Sequence, residues 1–378
     1  MDITFVISHL PDSRYKKRFE VLGKDRELSV VYWNKRGKEN LNLADIHIPA
    51  FRADIPADQT SPLKRIPQWF RYARFALKQL ICQSPRCVYV GNLDMLAIAW
   101  FYKRRKSPRV KVVYEIADLH RYIADIPRSP LKRLFRKMLI GIEARLISSV
   151  DLLTVTSWKF YETYYARWVP RDKTVLLPNM PQKEDFTHYC RKKSGEFTVG
   201  FIGSIRYKEQ LKMLIHAGKR AGVRVFFAGA ATDKEIESIC RENREYCEFY
   251  GPFNYTQKIA ELYGRLDCVY SVYDADMANV RIALPNKLYE SILCCLPIIV
   301  ARGTYLAELV EEWGVGVAVG HRDETELCRI LERLKNDAEY YSALCQNCAD
   351  HADKAEATSY ITVFQDKIAQ LFSVTEQL

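Results

Sequence analysis

The chain runs to 378 residues, 48% hydrophobic and 27% charged, which excludes a disordered, collagen-like or low-complexity protein and suits two globular domains. No apolar run approaches the roughly 20 residues of a spanning helix, residues 3–10 turn polar too soon for a signal peptide, and eleven irregularly spaced cysteines read as reduced thiols of a cytosolic protein. The net charge of +11 is lopsided: residues 1–180 hold 33 Lys/Arg against 17 Asp/Glu and residues 181–378 hold 24 against 29, so the first half is set to face an anion, either nucleic acid or a membrane leaflet.

Short runs rich in β-branched and aromatic residues, ITFVI (3–7), LSVVYW (28–33), CVYVG (87–91), KVVYEI (111–116) and LLTVT (152–156), predict strands. Helical periodicity occupies 62–80, 94–105 and 130–149 between them, so the rhythm is that of an open parallel sheet with helices on its faces. Within 62–80, Leu63, Ile66, Phe70, Ala73, Leu77 and Leu80 make an apolar stripe expected to pack on the sheet. Beside it lie Lys64, Arg71, Arg74 and Lys78, with no acid among them. The pentapeptide SPLKR stands at 61–65 and again at 129–133, where Lys132, Arg133, Arg136 and Lys137 surround Leu131, Leu134, Phe135 and Met138. A third basic run is KRRKSPRVK (103–111). Basic amphipathic helices flanked by aromatics suit peripheral attachment, so these charges are expected to meet an anionic membrane surface.

Periodicity lapses over residues 181–196, which read as a linker after a first domain of residues 1–180. Strand signals resume with FTVGFIG (197–203), VRVFFAG (223–229), CEFYG (247–251), LDCVYSVY (266–273), LPIIVA (296–301) and VGVAVG (315–320). The second domain is therefore expected over 197–355, and 356–378 as a terminal helix able to return to the first domain. The fold class expected is α/β, with two Rossmann-like doubly wound domains in tandem.

The stretch LPNKLYESILCCLPIIV (284–300) places one lysine, Lys287, and one acid, Glu290, in the first turns of an otherwise apolar helix. At the carboxyl edge of a parallel sheet, a helix N-terminus opened by Pro285 and Asn286 is an anion site, and Lys287 adds a full charge to it. Glu290, about one turn on, is placed to accept hydrogen bonds from a ribose diol. Spacing equally allows a solvated i,i+3 ion pair of no function.

The same stretch resembles the nucleotide-binding segment of family 4, or group 1, glycosyltransferases of the GT-B fold, whose usual form is K-x-x-E followed by a small-residue helix and G-x-P-V-I. FIGSIRYKEQ (201–210) resembles their glycine loop, LLPNM (176–180) their interdomain hinge, and YEIADLH (114–120) the first-domain strand end that faces the donor sugar. DLLTVTSWKFYETY (151–164) resembles the segment that closes the first domain. The chain departs from the family where Ile282 replaces the first acid of an E-x7-E pair, where Leu296 replaces a glycine, and where ISHLPDS (7–13) replaces a glycine-rich loop. The resemblance implies two domains facing a cleft, the first for the acceptor and the second for a UDP- or GDP-sugar donor. It implies that Gly203, Arg206, Lys208, Asn286, Lys287 and Glu290 bind that donor.

Glycosyl transfer builds negative charge on the departing phosphate, which fixed cations and helix ends stabilise when no metal does so. Asp118 and His120, just past KVVYEI, are the candidate catalytic residues, either able to take the acceptor proton. Asp118 also suits a helix cap, and His9 is a weaker third candidate. A metal is not expected. Asp274 and Asp276 do form a D-x-D of the kind that holds a divalent ion in GT-A enzymes, whereas Cys345, Cys348 and His351 lack a fourth ligand for zinc. The function expected is hexosyl transfer from a nucleotide sugar to a glycan or lipid-linked acceptor in bacterial polysaccharide or glycoconjugate synthesis, on the cytoplasmic face of the membrane. The alternatives are a non-catalytic nucleic-acid-binding protein, for which no module is recognisable, and a GT-B nucleotide-sugar epimerase.

Overall fold

The computed structural model describes residues 1–35, 48–58, 63–191, 195–231 and 234–373. Ser61 and Pro62 of the first SPLKR, residues 192–194 of the expected linker and 374–378 of the expected terminal helix lie outside the described residues. The chain divides into two units, one formed by Met1–Pro178 together with the segment from Thr358, the other by Asn179–Ala357.

The first unit carries strands β1 (Ile3–Ile7), β2 (Leu28–Asn34), β3 (Ala50–Asp54), β4 (Cys87–Gly91), β5 (Lys111–Ile116), β6 (Leu152–Val155) and β7 (Thr174–Leu176) in the order β3-β2-β1-β4-β5-β6-β7. Every neighbouring pair is parallel. Its helices are α1 (Ser13–Leu22), α2 (Ile66–Gln83), α3 (Leu93–Arg105), α4 (Arg121–Ala124), α5 (Pro130–Ile147) and α6 (Trp158–Thr163). The central strands β1, β2 and β4 are buried at every residue, as expected of a parallel sheet covered on both faces. The two edge strands, β3 and β7, were not expected. AFRAD mixes charge into a half-exposed edge, and TVL is three residues long, so neither produces a clear apolar signal.

In the second unit β8 (Thr198–Ile202), β9 (Arg224–Ala228), β10 (Cys247–Gly251), β11 (Cys268–Ser271), β12 (Ile298–Ala301) and β13 (Gly316–Val319) form a parallel sheet in the order β10-β9-β8-β11-β12-β13. All six were expected. Around them lie α7 (Lys208–Ala221), α8 (Glu235–Glu242), α9 (Tyr255–Tyr263), α10 (Ala278–Ile282), α11 (Asn286–Leu293), α12 (Tyr305–Glu312), α13 (Glu324–Asn336) and α14 (Ala338–Asp350). Residues 181–191 are fastened to this unit: Phe186 packs edge-on against Tyr263, Tyr189 donates to the Cys294 carbonyl at 2.9 Å, and Arg191 pairs with Asp267. The last helix, α15 (Thr358–Ser373), belongs to the first unit, where Phe364, Ile368 and Phe372 enter the core formed by Phe5, Phe19 and Tyr89.

In each sheet the strand order reverses once, between β1 and β4 and between β8 and β11. The crevice at the carboxyl ends of those strands is where such sheets take ligands.

The apolar stripes are not all turned to the sheet. Helix α2 buries Tyr72, Ala73, Ala76 and Leu80 but leaves Ile66, Phe70 and Ile81 exposed. Helix α5 buries only Glu143, Leu146 and Ile147. It is held at that end by Glu143, which accepts hydrogen bonds from the hydroxyls of Tyr114, Tyr164 and Tyr165.

A buried ion pair ties the first sheet to α1. Glu115 accepts from Arg18 at 3.3 Å and from the Tyr89 hydroxyl, with Arg14 at 3.8 Å. Burial alone would push the Glu115 carboxyl up, yet Arg18 and Arg14 hold it below its ordinary value of 4.5. Its contribution is therefore complete above that value and lost as pH falls through the folded one. Glu115→Gln is expected to cost about 3 kcal/mol by stranding Arg18 and to flatten the acid limb of stability against pH. Denaturant unfolding at neutral and acid pH measures both; an unchanged acid limb would remove Glu115 from this role.

Candidate functional site

The crevice of the second unit is built around two glycines and a lysine. Gly203, just past β8, has φ +136°, and a Cβ there would stand 2.9 Å from Lys287 Nζ. Gly229, past β9, has φ +143°, and a Cβ there would fall 1.8 Å from the Gly203 carbonyl oxygen. Only glycine permits both the backbone conformation and the approach.

Lys287 arrives from the first turn of α11, whose N-cap position is taken by Pro285 in extended conformation with no side-chain cap. Asn286 is thus the first helical residue rather than the cap, because proline's fixed φ suits the position ahead of the turn. The first-turn N–H groups are left to whatever lies beyond the helix end. The Lys287 side chain is 8% exposed; its Nζ donates to the Tyr273 hydroxyl at 3.0 Å and rests 4.4 Å from the Phe201 ring centre. Among the described residues no carboxylate comes within ion-pair distance of it.

Glu290 is 3% exposed and accepts from the Tyr255 hydroxyl at 2.6 Å and from Tyr263 at 2.5 Å, one on each oxygen. Lys287 and Glu290 are therefore not a solvated pair: both are buried, and each has its own partners. The two tyrosines come from α9, and nothing in their sequence spacing signals that they meet Glu290. A carboxylate offers about four acceptor positions, so two remain for a ligand.

The other expected cations divide. Arg206 is exposed, with its Nε on the Ser204 hydroxyl at 2.8 Å. Lys208, opening α7, lies 3.1 Å from Glu235, which also holds Lys212. The structure thus brings Lys287 over Gly203 and leaves Lys208 neutralised by a neighbour.

Asp274 and Asp276 sit past β11, where His321 Nε2 is 3.4 Å from Asp274 and the Arg322 guanidinium is 2.7 Å from Asp276. Their ligand atoms converge within 4.8 Å, close enough for a divalent ion, but Arg322 already neutralises the same oxygens. Cys345, Cys348 and His351 do not form a ligand set: Cys348 is buried against the carbonyls of Leu296 and Val315, and His351 stacks on Trp313.

In the first unit, the crevice between β1 and β4 gathers Ser8, His9, Asn92 and Asp94. Asn92 holds φ +71° and donates from Nδ2 to Ser8 Oγ at 3.0 Å, a conformation uncommon for a residue with a Cβ. Asp94 begins α3; burial pushes its carboxyl up, while Lys35 and His9 pull it down. Asp118 and His120 are both exposed, on the loop between β5 and α4. Crowding around His120 lowers its imidazole, with Asp94 acting in the opposite direction. Asp94 was missed in the sequence. Its signal was its place in the first turn of α3, three residues past the strand CVYVG at the switch point.

Residues 196–337 match the family model described as glycosyl transferases group 1. The succinoglycan biosynthesis protein ExoL of Rhizobium meliloti is 24% identical over 291 residues, 73% of this chain and 68% of that protein. The chain is a glycosyltransferase, similar over residues 196–337 to those of group 1. Solved structures agree on its GT-B fold. HepE of Anabaena, crystallised with UDP, superposes with a TM-score of 0.70 at 14% identity over 98% of this chain and 100% of that one. The sucrose-phosphate synthase of Thermosynechococcus elongatus gives 0.75 at 13% identity over 99% and 100%. All six expected donor residues of the glycosyltransferase lie inside the matched region.

Two measurements test this geometry. Glu290→Ala would strand two tyrosine hydroxyls, so Glu290→Gln is the cleaner probe; it is expected to weaken nucleotide affinity about tenfold with a melting temperature close to that of wild type. Unaltered affinity would assign Glu290 to packing alone. Chelation by EDTA is expected to leave turnover unchanged, whereas recovery of lost activity by Mg²⁺ or Mn²⁺ would give Asp274 and Asp276 a metal.

Proposed function

We propose that this glycosyltransferase moves a sugar from a UDP- or GDP-sugar to a glycan or lipid-linked acceptor at an anionic membrane surface. The product is a polysaccharide or glycoconjugate of bacterial type, made on the cytoplasmic face. The observation that carries the donor assignment is the buried Lys287 side chain beside Gly203, with no carboxylate at ion-pair distance among the described residues. A buried charge is costly unless paired, and the diphosphate of a nucleotide is the anion that a glycine loop and helix end suit. The names of ExoL, a succinoglycan biosynthesis protein, and of HepE, bound to UDP, support the polysaccharide and the uridine nucleotide.

In this reading, Lys287 and the α11 N-terminus meet the charge that grows on the phosphate as its bond to the anomeric carbon breaks. Arg206 supplies further positive charge from the loop ahead of α7, Lys208 at the start of α7 would have to leave Glu235 to join it, and Gly203 allows the diphosphate to approach. Asn286 lies at the same helix end, while Glu290 accepts from the ribose. Asp118 and His120 serve the acceptor side, one receiving the hydroxyl proton as oxygen attacks the anomeric carbon. In this reading the cations and the helix end, rather than a metal, meet the charge of the departing phosphate.

Thermal stabilisation by UDP, GDP and their sugars is expected for wild type and lost in Lys287→Met, whose Kd should rise roughly 10- to 100-fold. The variant's own melting temperature should hold or rise, since an unpaired buried charge is removed. Stabilisation by a short oligonucleotide but by no nucleotide would favour the nucleic-acid alternative. Conversion of the donor without any acceptor would make the enzyme an epimerase.

A further inference from the structure

The outer face of the first unit is neither a core nor an ordinary solvated surface. Phe70 is 62% exposed on α2, and Leu131 and Leu134 are 77% and 65% exposed on α5; Phe101 of α3 and Met138 and Ile142 of α5 are also exposed. Between these helices runs an apolar groove of ≈ 770 Å³ lined by Phe70, Leu77, Ile81, Ile98, Phe101 and Ile142. That is the size class of a pocket for a ligand chain.

The charges of these helices are nearly all of one sign. There are three Lys/Arg on α2, three on α3 and five on α5, against Asp94 and Glu143 alone. Glu143 is buried among its tyrosines, and Asp94 opens α3 at the end away from its basic last turn.

We propose that the α2–α3–α5 face docks on an anionic phospholipid bilayer. Its exposed apolar side chains enter the acyl region, the groove receives a lipid chain, and Arg74, Lys78, Lys132, Arg133 and Lys137 meet headgroup phosphates. Neither signal alone holds a protein firmly to a membrane, but apolar insertion and a basic cluster together do. A second copy of the chain is the poorer occupant, because pairing the face with itself sets like charges against each other. A protein partner fits less well too, since the centre of a protein interface is depleted of charge. Nucleic acid would leave the leucines and phenylalanines in water. No helix among the described residues is long and apolar enough to cross a membrane, so the face would lie on the bilayer. This docking rests on the membrane-associated acceptor of the proposed function for its purpose, but needs neither donor nor acceptor to occur.

The test is sedimentation of the full chain with extruded vesicles of phosphatidylcholine alone, or with roughly a third phosphatidylglycerol, at about 0.1 M salt. Wild type is expected to partition about tenfold more onto the anionic vesicles, less as salt rises. Leu131→Ser with Leu134→Ser, and separately Arg74→Ser with Lys78→Ser, should each cut that partition about tenfold at unchanged melting temperature and unchanged stabilisation by UDP. The proposal is overturned if wild type ignores anionic vesicles, or if the leucine variant binds them as wild type does. A concentration-dependent dimer abolished by the leucine substitutions, without vesicle binding, would likewise overturn it in favour of self-association. Loss of UDP stabilisation in wild type would instead remove the donor reading and leave the docking result standing.

Discussion

A buried lysine with no carboxylate beside it among the described residues is the constraint around which the crevice of the second unit is built. Lys287 stands under the glycine turn after β8, with a tyrosine hydroxyl and an aromatic face for company. Several features of the chain follow from holding it there. Gly203 and Gly229 must lack side chains so that the amine and two backbone turns can share the space. Helix α11 must begin with a proline in the cap position, so that its N–H groups and the lysine face the same volume. A buried cation without a counter-ion is costly, which is the reason the proposed function sets an anion beside it.

The carboxylates show the complementary device. Glu290 and Glu143 are both buried without a cation, and both are satisfied by tyrosine hydroxyls, two in one case and three in the other. Hydroxyl donors let an acid be buried without an arginine that would compete for a ligand or cancel nearby positive charge. For Glu143 the result is mechanical: α5 is gripped by its last turns while its basic, apolar beginning stays in the open. For Glu290 it leaves acceptor capacity beside a cationic helix end. Glu115 follows the opposite rule, with Arg18 and Arg14 around it, and belongs to the frame of the first sheet.

Much of this was legible in advance. Eleven of the strands announced themselves because parallel strands covered on both faces are continuous runs of β-branched and aromatic residues. The edges β3 and β7 were silent because an edge strand tolerates charge and brevity. The segment proposed for the nucleotide drew notice through Lys287 and Glu290, two polar residues in an apolar helix. The stripes of 62–80 and 130–149 were misjudged in part: periodicity reports that a helix has an apolar face, but not which way that face is turned. Asp94 and the α9 tyrosines escaped because their importance lies in what stands beside them, far away in sequence.

The sequence by itself determined the alternation of strands and helices, the uneven charge and the residue types gathered near the donor segment, because these depend on local propensity and composition. Only the tertiary structure decided which cation stays unneutralised. Lys208 finds Glu235, while Lys287 finds Tyr273 and aromatic rings and, among the described residues, no carboxylate; no spacing rule distinguishes one lysine from the other. Electrostatic pairing is a property of proximity through space, and chain folding alone sets that proximity.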